Sequence, residues 1–356
     1  MKLSSRAGAA GASICAAVVM LSMAAPAQAA VTGWRQFFRQ HYGAPGNFSG
    51  YMAVAAPGKS DAWAFGGTAL SGGTAPSGSP VAERWNGRAW RGSPLPAGLH
   101  DTIIAASAPS ATDIWAVTHF GGYVLHWNGT RWSLAKRLPG AVGGQLTGVT
   151  ALSTDDVWVF GGGGSTGGLG TWHFNGRVWR HWTGNASGLE NASAVSPTNI
   201  WAIGGLLTPF SAIMHFNGRS WRPVTAKALS GLGFAEIRAL TRNDIWATAI
   251  AGRSNTPAWL VHFNGTQWTR IRIPWKVVPD RITADGQGGL WLTAVGLTTG
   301  QPFVVHRTAS GRWSRTPLST LLFGLALIPG TASLWGVGSA TARTGGNAVI
   351  WAYGKV

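Results

Sequence analysis

The stretches Asp156-Val157-Trp158-Val159-Phe160-Gly161 and His173-Phe174-Asn175-Gly176-Arg177-Val178-Trp179 decide how this chain folds. The first is one strand long, rich in β-branched and aromatic residues, and entered through an acidic turn residue. In the second, Asn-Gly parts two runs bounded by aromatic rings. That dipeptide is the strongest short-range hairpin signal, because both residues accept the positive φ of a tight turn. A short apolar stretch, Leu146 to Leu152, precedes both. The unit therefore reads as four consecutive antiparallel strands: inner, tryptophan, hairpin and outer.

The unit recurs along the chain. Tryptophans equivalent to Trp158 stand at Trp63, Trp115, Trp201, Trp246, Trp291 and Trp335, and successive copies are 52, 43, 43, 45, 45 and 44 residues apart. The hairpin returns at Asn86-Gly87, Asn128-Gly129, Asn217-Gly218 and Asn264-Gly265, and more loosely at Ser310-Gly311-Arg312-Trp313. A period of 40–50 residues with four strand-sized pieces predicts an all-β, seven-bladed β-propeller. The seventh copy stops at Tyr353-Gly354 without an outer strand, and Val31-Thr32-Gly33-Trp34-Arg35 has the form of that missing strand. Residues 31–36 are therefore expected to complete the last blade.

Residues 1–29 read as a signal peptide: Lys2 and Arg6, then an apolar run from Ala9 to Ala25, then Ala27-Gln28-Ala29 as the small-x-small cleavage pattern. Residues 30–356 read as a single propeller domain, secreted and extracellular. Nothing after the leader approaches the roughly 18 continuous apolar residues of a membrane span. The one cysteine, Cys15, lies in the leader, so the exported chain has no disulfide, thiolate metal site or cysteine nucleophile.

The 356 residues carry 28 Lys and Arg against 11 Asp and Glu, a formal net charge of +17. The excess is spread along the chain without a Lys/Arg run. It keeps the protein soluble and is compatible with acidic polymers, such as wall polymers or nucleic acid, as partners.

Most of the 21 tryptophans are expected in the core. Seven belong to tryptophan strands and seven to outer strands (Trp34, Trp90, Trp132, Trp179, Trp221, Trp268, Trp313), where large rings fill the wedge between radial sheets. His126, His173, His215, His262 and His306 occupy one position per blade, so the ring separates them and they cannot converge on a metal ion. The Asp before each tryptophan is expected to serve its turn, its carboxylate bonding nearby backbone N–H groups. Arg35, Arg91, Arg180 and Arg222 beside the outer-strand tryptophans protect exposed strand edges and give the rim a basic belt.

These repeats resemble the secreted, tryptophan-rich propeller repeats of actinobacterial exported proteins, and more distantly kelch and galactose-oxidase-like propellers. The resemblance covers nearly the whole exported chain and implies a fold, not an activity. The copper site of galactose-oxidase-like enzymes would need a cysteine that the exported chain lacks. Ser-x-Asp-x-Gly-x-Thr-Trp boxes, Gly-x-Ser-x-Gly, phosphate loops and His-Glu-x-x-His are absent too. No catalytic, metal or cofactor residue is assigned.

The reading is thus a non-catalytic recognition propeller, lectin-like or protein-binding, with a targeting subunit of an exported complex as a compatible, more specific version. The alternative is an extracellular polysaccharide hydrolase or lyase, which would need paired carboxylates. Turns within hairpins are stereotyped, whereas the connections at 66–81, 118–122, 161–168, 204–211, 249–258 and 338–347 vary. Varied loops on a rigid scaffold are where recognition sits. His100, Asp101, His119, Phe120, Trp182, Phe210, Trp275 and Asp280 are the candidate ligand-binding residues on or near that face. A cell-surface or wall glycan, or a protein, is the expected partner.

Overall fold

The computed structural model describes residues 33–42, 49–68, 78–139, 144–162, 168–204, 212–251, 257–340 and 346–356. Residues 31–356 form one compact unit. The described residues build seven four-stranded antiparallel sheets, each following the inner, tryptophan, hairpin, outer order. In the third blade these strands are Gly148–Ser153, Asp156–Gly161, Gly170–Phe174 and Trp179–Trp182. The architecture is a seven-bladed β-propeller.

The ring closes as the two chain ends suggest. Trp34–Gln40 pairs antiparallel with Asn347–Tyr353 as the outermost strand of the seventh sheet, with Trp34 opposite Tyr353. The strand runs four residues beyond the expected 36, while residues 31 and 32 lie outside the described residues. Arg35 donates from Nη1 to the carbonyl of Gly354 at 2.7 Å. Past the strand, Tyr42 donates to Glu83 Oε1 of the first blade at 2.5 Å, and its hydroxyl lies 3.1 Å from that of Tyr51. The tail of the closing strand is thereby tied across the seam.

The core lies between blades. Seven hydrophobic clusters each span two neighbours; the cluster at the seam joins Tyr51, Trp85 and Trp90 to Trp335, Val337 and Ile350. All seven tryptophan-strand indoles are at most 7 % exposed. The outer-strand indoles divide: Trp90, Trp132 and Trp221 are buried, the other four half-buried.

The one-per-blade histidines are structural: His126, His173 and His262 engage aspartates that sequence assigned to turns, and His306 engages Asp285, which it left unassigned. His126, His173, His262 and His306 place Nε2 2.8–2.9 Å from Asp113, Asp156, Asp244 and Asp285. Each ring also stacks on its tryptophan, with centroids 3.8–4.3 Å apart. The Asp113 and Asp244 carboxylates accept the Trp115 and Trp246 indole N–H as well. So the expectation that these aspartates bond backbone N–H groups is corrected. An acceptor beside a cross-strand imidazole and an indole is better used by those two donors. Asp285, outside that expectation, accepts the N–H groups of Gln287 and Gly289 at 2.7 Å besides meeting its histidine. In the first blade Arg84 replaces the histidine, binding Asp61 and lying 5.3 Å over Trp63. In the fourth, Asn199 replaces the aspartate.

The Asn-Gly hairpins use their asparagine through its side chain. Trp85 pairs with Trp90, leaving a four-residue loop in which Asn86 Oδ1 accepts the N–H of Arg88 and Ala89, both at 3.0 Å. Asn128, Asn175, Asn217 and Asn264 repeat the arrangement. Gly87 supplies the positive φ, 87°. The loop is longer than the two-residue turn that Asn-Gly suggests, because the side chain closes the turn that a second backbone bond would otherwise close.

Candidate ligand-binding site at the channel mouth

The inner strands line the central channel. Their connections to the tryptophan strands and the Asn-Gly hairpins share one end, the turn end. The other connections occupy the opposite, loop end. Near the loop end the inner strands share an irregularity. The register slips between Tyr51 and Ala53, Ile103 and Ala105, Leu189 and Asn191, Phe234 and Glu236, Pro279 and Ile282, and Leu322 and Gly324. Each slip is a β-bulge, which inserts an unpaired residue and re-aims its side chain. The residues so released are Met52, Ile104, Glu190, Ala235, Asp280 with Arg281, and Phe323. Thr147 stands at this level in the third blade, its hydroxyl donating to the Glu190 carbonyl at 2.6 Å.

Neighbouring strands accommodate the bulges. A Cβ on Gly66 would lie 1.9 Å from the Gly50 carbonyl oxygen, so the tryptophan strand can cross there only as glycine. Thr248 accepts the N–H of Glu236 just past the fifth-blade bulge, at 3.1 Å, and Thr293 that of Arg281 within the sixth-blade bulge, at 3.0 Å.

Met52, Ile104, Thr147, Arg281 and Phe323 line a cavity of about 440 Å³ that also reaches Glu236 and Arg238. Its wall is uneven. Over the seventh, first and second blades it is apolar; over the fifth and sixth it is charged. Arg281 Nη1 lies 3.4 Å from Glu236 Oε2, its Nε is 3.6 Å from Asp280 Oδ2, and the same Nε donates to the Phe323 carbonyl at 2.8 Å. Burial pushes the Glu236 carboxyl above its ordinary value, against the pull of Arg281 and Arg238. The mouth thus offers an apolar wall opposite a guanidinium and a carboxyl.

The sequence candidates fall into three places. In the second blade, Asp101 is 1 % exposed and accepts the N–H groups of Thr102, Phe120 and Gly121 at 2.8, 2.7 and 2.6 Å. It holds the 119–121 loop, where the His119 and Phe120 rings meet at 4.0 Å. Burial lowers the His119 pKa, opposed by Asp101 and by a hydrogen bond with Gln145. His100 stands exposed beside them.

Trp182 and Trp275 sit at the outer rim, both half-buried. Trp182 packs on Trp158 and Phe216, at 5.4 and 5.5 Å, and carries Arg180 at 4.9 Å over its ring. Trp275 meets Trp313 edge-on at 6.5 Å, with Arg315 at 5.1 Å. Asp280 stands on the sixth-blade bulge beside Arg281 without lining the cavity, and Phe210 lies outside the described residues.

Sequence reasoning passed over Met52, Ile104, Arg281 and Phe323, since a bulge adds a residue without altering an apolar pattern. The available signal was Glu190, Glu236, Arg238, Asp280 and Arg281: five charges inside inner strands that are otherwise small or apolar.

The sequence matches no protein-family model and no curated protein. Among solved structures, the chain is similar to YCF48 bound to D1 peptide, with TM-score 0.60 and 12 % identity, covering 90 % of this chain and 96 % of that one. YCF48 from Cyanidioschyzon merolae gives TM-score 0.59 at 12 % identity, covering 90 % and 98 %. U3-55K gives TM-score 0.60 at 10 % identity, with the same 90 % and 98 % coverage. At these identities the likeness is one of fold.

Proposed function

We propose that this chain is an exported recognition propeller that takes a protein segment or glycan into the loop-end mouth of its channel and leaves it chemically unchanged. The observation that carries the reading is the mouth of the channel, whose cavity of about 440 Å³ is lined at this end by Thr147 and by Met52, Ile104, Arg281 and Phe323, which the bulges release. An apolar wall facing Arg281 and Glu236 suits a ligand with one apolar and one hydrogen-bonding face. The peptide carried by the similar YCF48 structure makes an extended peptide the first ligand class to test.

The acids support binding over chemistry. Asp61, Asp113, Asp156, Asp244 and Asp285 are engaged by Arg84 or histidines, Asp101 by backbone, and Glu83 by Tyr42. No helix among the described residues is long and apolar enough to cross a membrane.

The test is a peptide-library and glycan-array screen on the protein and on Phe323→Ala and Met52→Ala. Binding should weaken about tenfold or more in either variant, the loss expected when a contact residue of a desolvated pocket is truncated. Unchanged binding would remove the mouth from the reading. Turnover of a polysaccharide abolished by Glu236→Gln would replace recognition by the hydrolase or lyase alternative.

A further inference from the structure

The basic residues that are scattered in sequence are gathered in space. A period of about 44 residues places the same hairpin position of every blade at the same end of the ring, by the repeat logic of stacked units. The hairpin tip carries Arg88 in the first blade, Arg177 in the third and Arg219 in the fourth, two residues after the asparagine, and Arg131 in the second, one residue later; all four are exposed. Arg91 and Arg222, three residues further on, add exposed guanidinium groups to the first and fourth blades. None of the six makes an ion pair among the described residues. The acids beneath them are occupied, Asp61 by Arg84 and Asp113 and Asp156 by histidines. Asp155 is the one exposed acid on this arc.

We infer that the turn end of the first four blades is a second binding surface, which takes an extended acidic polysaccharide. Three properties point there. Guanidinium forks match carboxylate and sulfate groups bidentately. Their recurrence once per blade, along an arc, suits a polymer whose anionic group also recurs. And the aromatic residues flanking the tips are buried or half-buried: Trp85, Trp90, Trp127, Trp132 and Trp221 are all at most 6 % exposed. A nucleic acid would want open rings on which to stack its bases, and this end has none to offer among them. The surface lies at the opposite end of the ring from the channel mouth, so the two ligands do not compete for side chains.

Removing charge from one end at a time tests this. The first variant combines Arg88→Ser, Arg131→Ser, Arg177→Ser and Arg219→Ser. The second combines Arg39→Ser, Lys227→Ser, Arg272→Ser and Lys276→Ser, which are exposed at the loop end and lower the net charge equally. Affinity for heparin oligosaccharides is measured at about 0.15 M salt, where the screening length of about 8 Å isolates local from whole-molecule charge. A single-stranded oligonucleotide of matched charge is measured beside it, and melting curves confirm that both variants fold. The turn-end variant should lose heparin affinity about tenfold or more, the loop-end variant less than about twofold, on the same screening argument. Equal losses in the two variants, no heparin binding by the parent protein, or an oligonucleotide bound at least as tightly as heparin would each overturn the assignment.

Discussion

At the turn end, six blades set a histidine or an arginine against the same tryptophan, and the hairpin asparagine closes its loop in the same way five times. At the loop end the inner strands bulge at matching heights, yet they deliver methionine, isoleucine, glutamate, alanine, aspartate and phenylalanine. The backbone repeats at both ends; the side chains repeat at only one. Repetition of a side chain marks a position whose job is the same in every blade, here the bracing of one sheet against the next. Its absence on a repeated backbone marks positions released from that job.

The largest effect should come from removing what makes the blades equivalent. Deleting Trp34–Gln40 leaves the seventh blade with three strands and an exposed edge. The loss should approach the whole stability of an ordinary domain, about 5–15 kcal/mol. Denaturant unfolding that matches the intact chain would show that closure is dispensable.

Next come two tryptophans of the third blade. Trp158→Ala should cost about 3–5 kcal/mol, as for a fully buried aromatic. Trp182→Ala removes a half-buried ring packed on Trp158, so about 1–2 kcal/mol is expected. Thermal melts of the two variants check the order, and equal costs would contradict the distinction between blade core and rim.

The smallest effect concerns the blade that breaks the aspartate pattern. His215 faces Asn199 rather than a carboxylate, and burial holds its pKa below the ordinary imidazole value. A depressed imidazole keeps its full contribution above about pH 6.5, the unperturbed value, and loses it as pH falls below that. Asn199→Asp should raise the His215 pKa and shrink this acid-side loss. Proton NMR titration of the imidazole reads the shift, and a pKa that stays or falls would break the comparison with the other four histidines. Asp285 runs the opposite way: hydrogen bonds from His306, Gln287 and Gly289 hold it below its ordinary value despite burial. Its contribution is present above about pH 3.8 and is lost only as pH falls below that.

What could be read from sequence follows the same division. Blade number, strand order, ring closure and the structural role of the histidines are written in residues that recur. The partner of Asp113 was not legible, because turn chemistry is local and the imidazole of His126 arrives from the next strand. Nor was the channel mouth, for Met52 and Phe323 are ordinary apolar residues until a bulge turns them. Asp101 was picked out as a ligand contact from its loop position, whereas its carboxylate meets three backbone N–H groups.

The seam has a consequence for how the chain acquires its structure. Arg35 and Gly354 bond across a sequence separation of 319, near the maximum the chain allows. Such a contact belongs to the slow end of folding, because its loop entropy is lost before any contact rewards it. The first six blades can assemble in order as they emerge, each on its predecessor, while the opening segment waits unpaired for the final one. Until the last residues arrive, Phe38 and Trp34 have nothing to cover and remain available to any other unpaired edge. The same adjacency places Trp34 beside Tyr353 in the finished ring, so a short linker could join residues 33 and 356 and new termini be cut between any two blades.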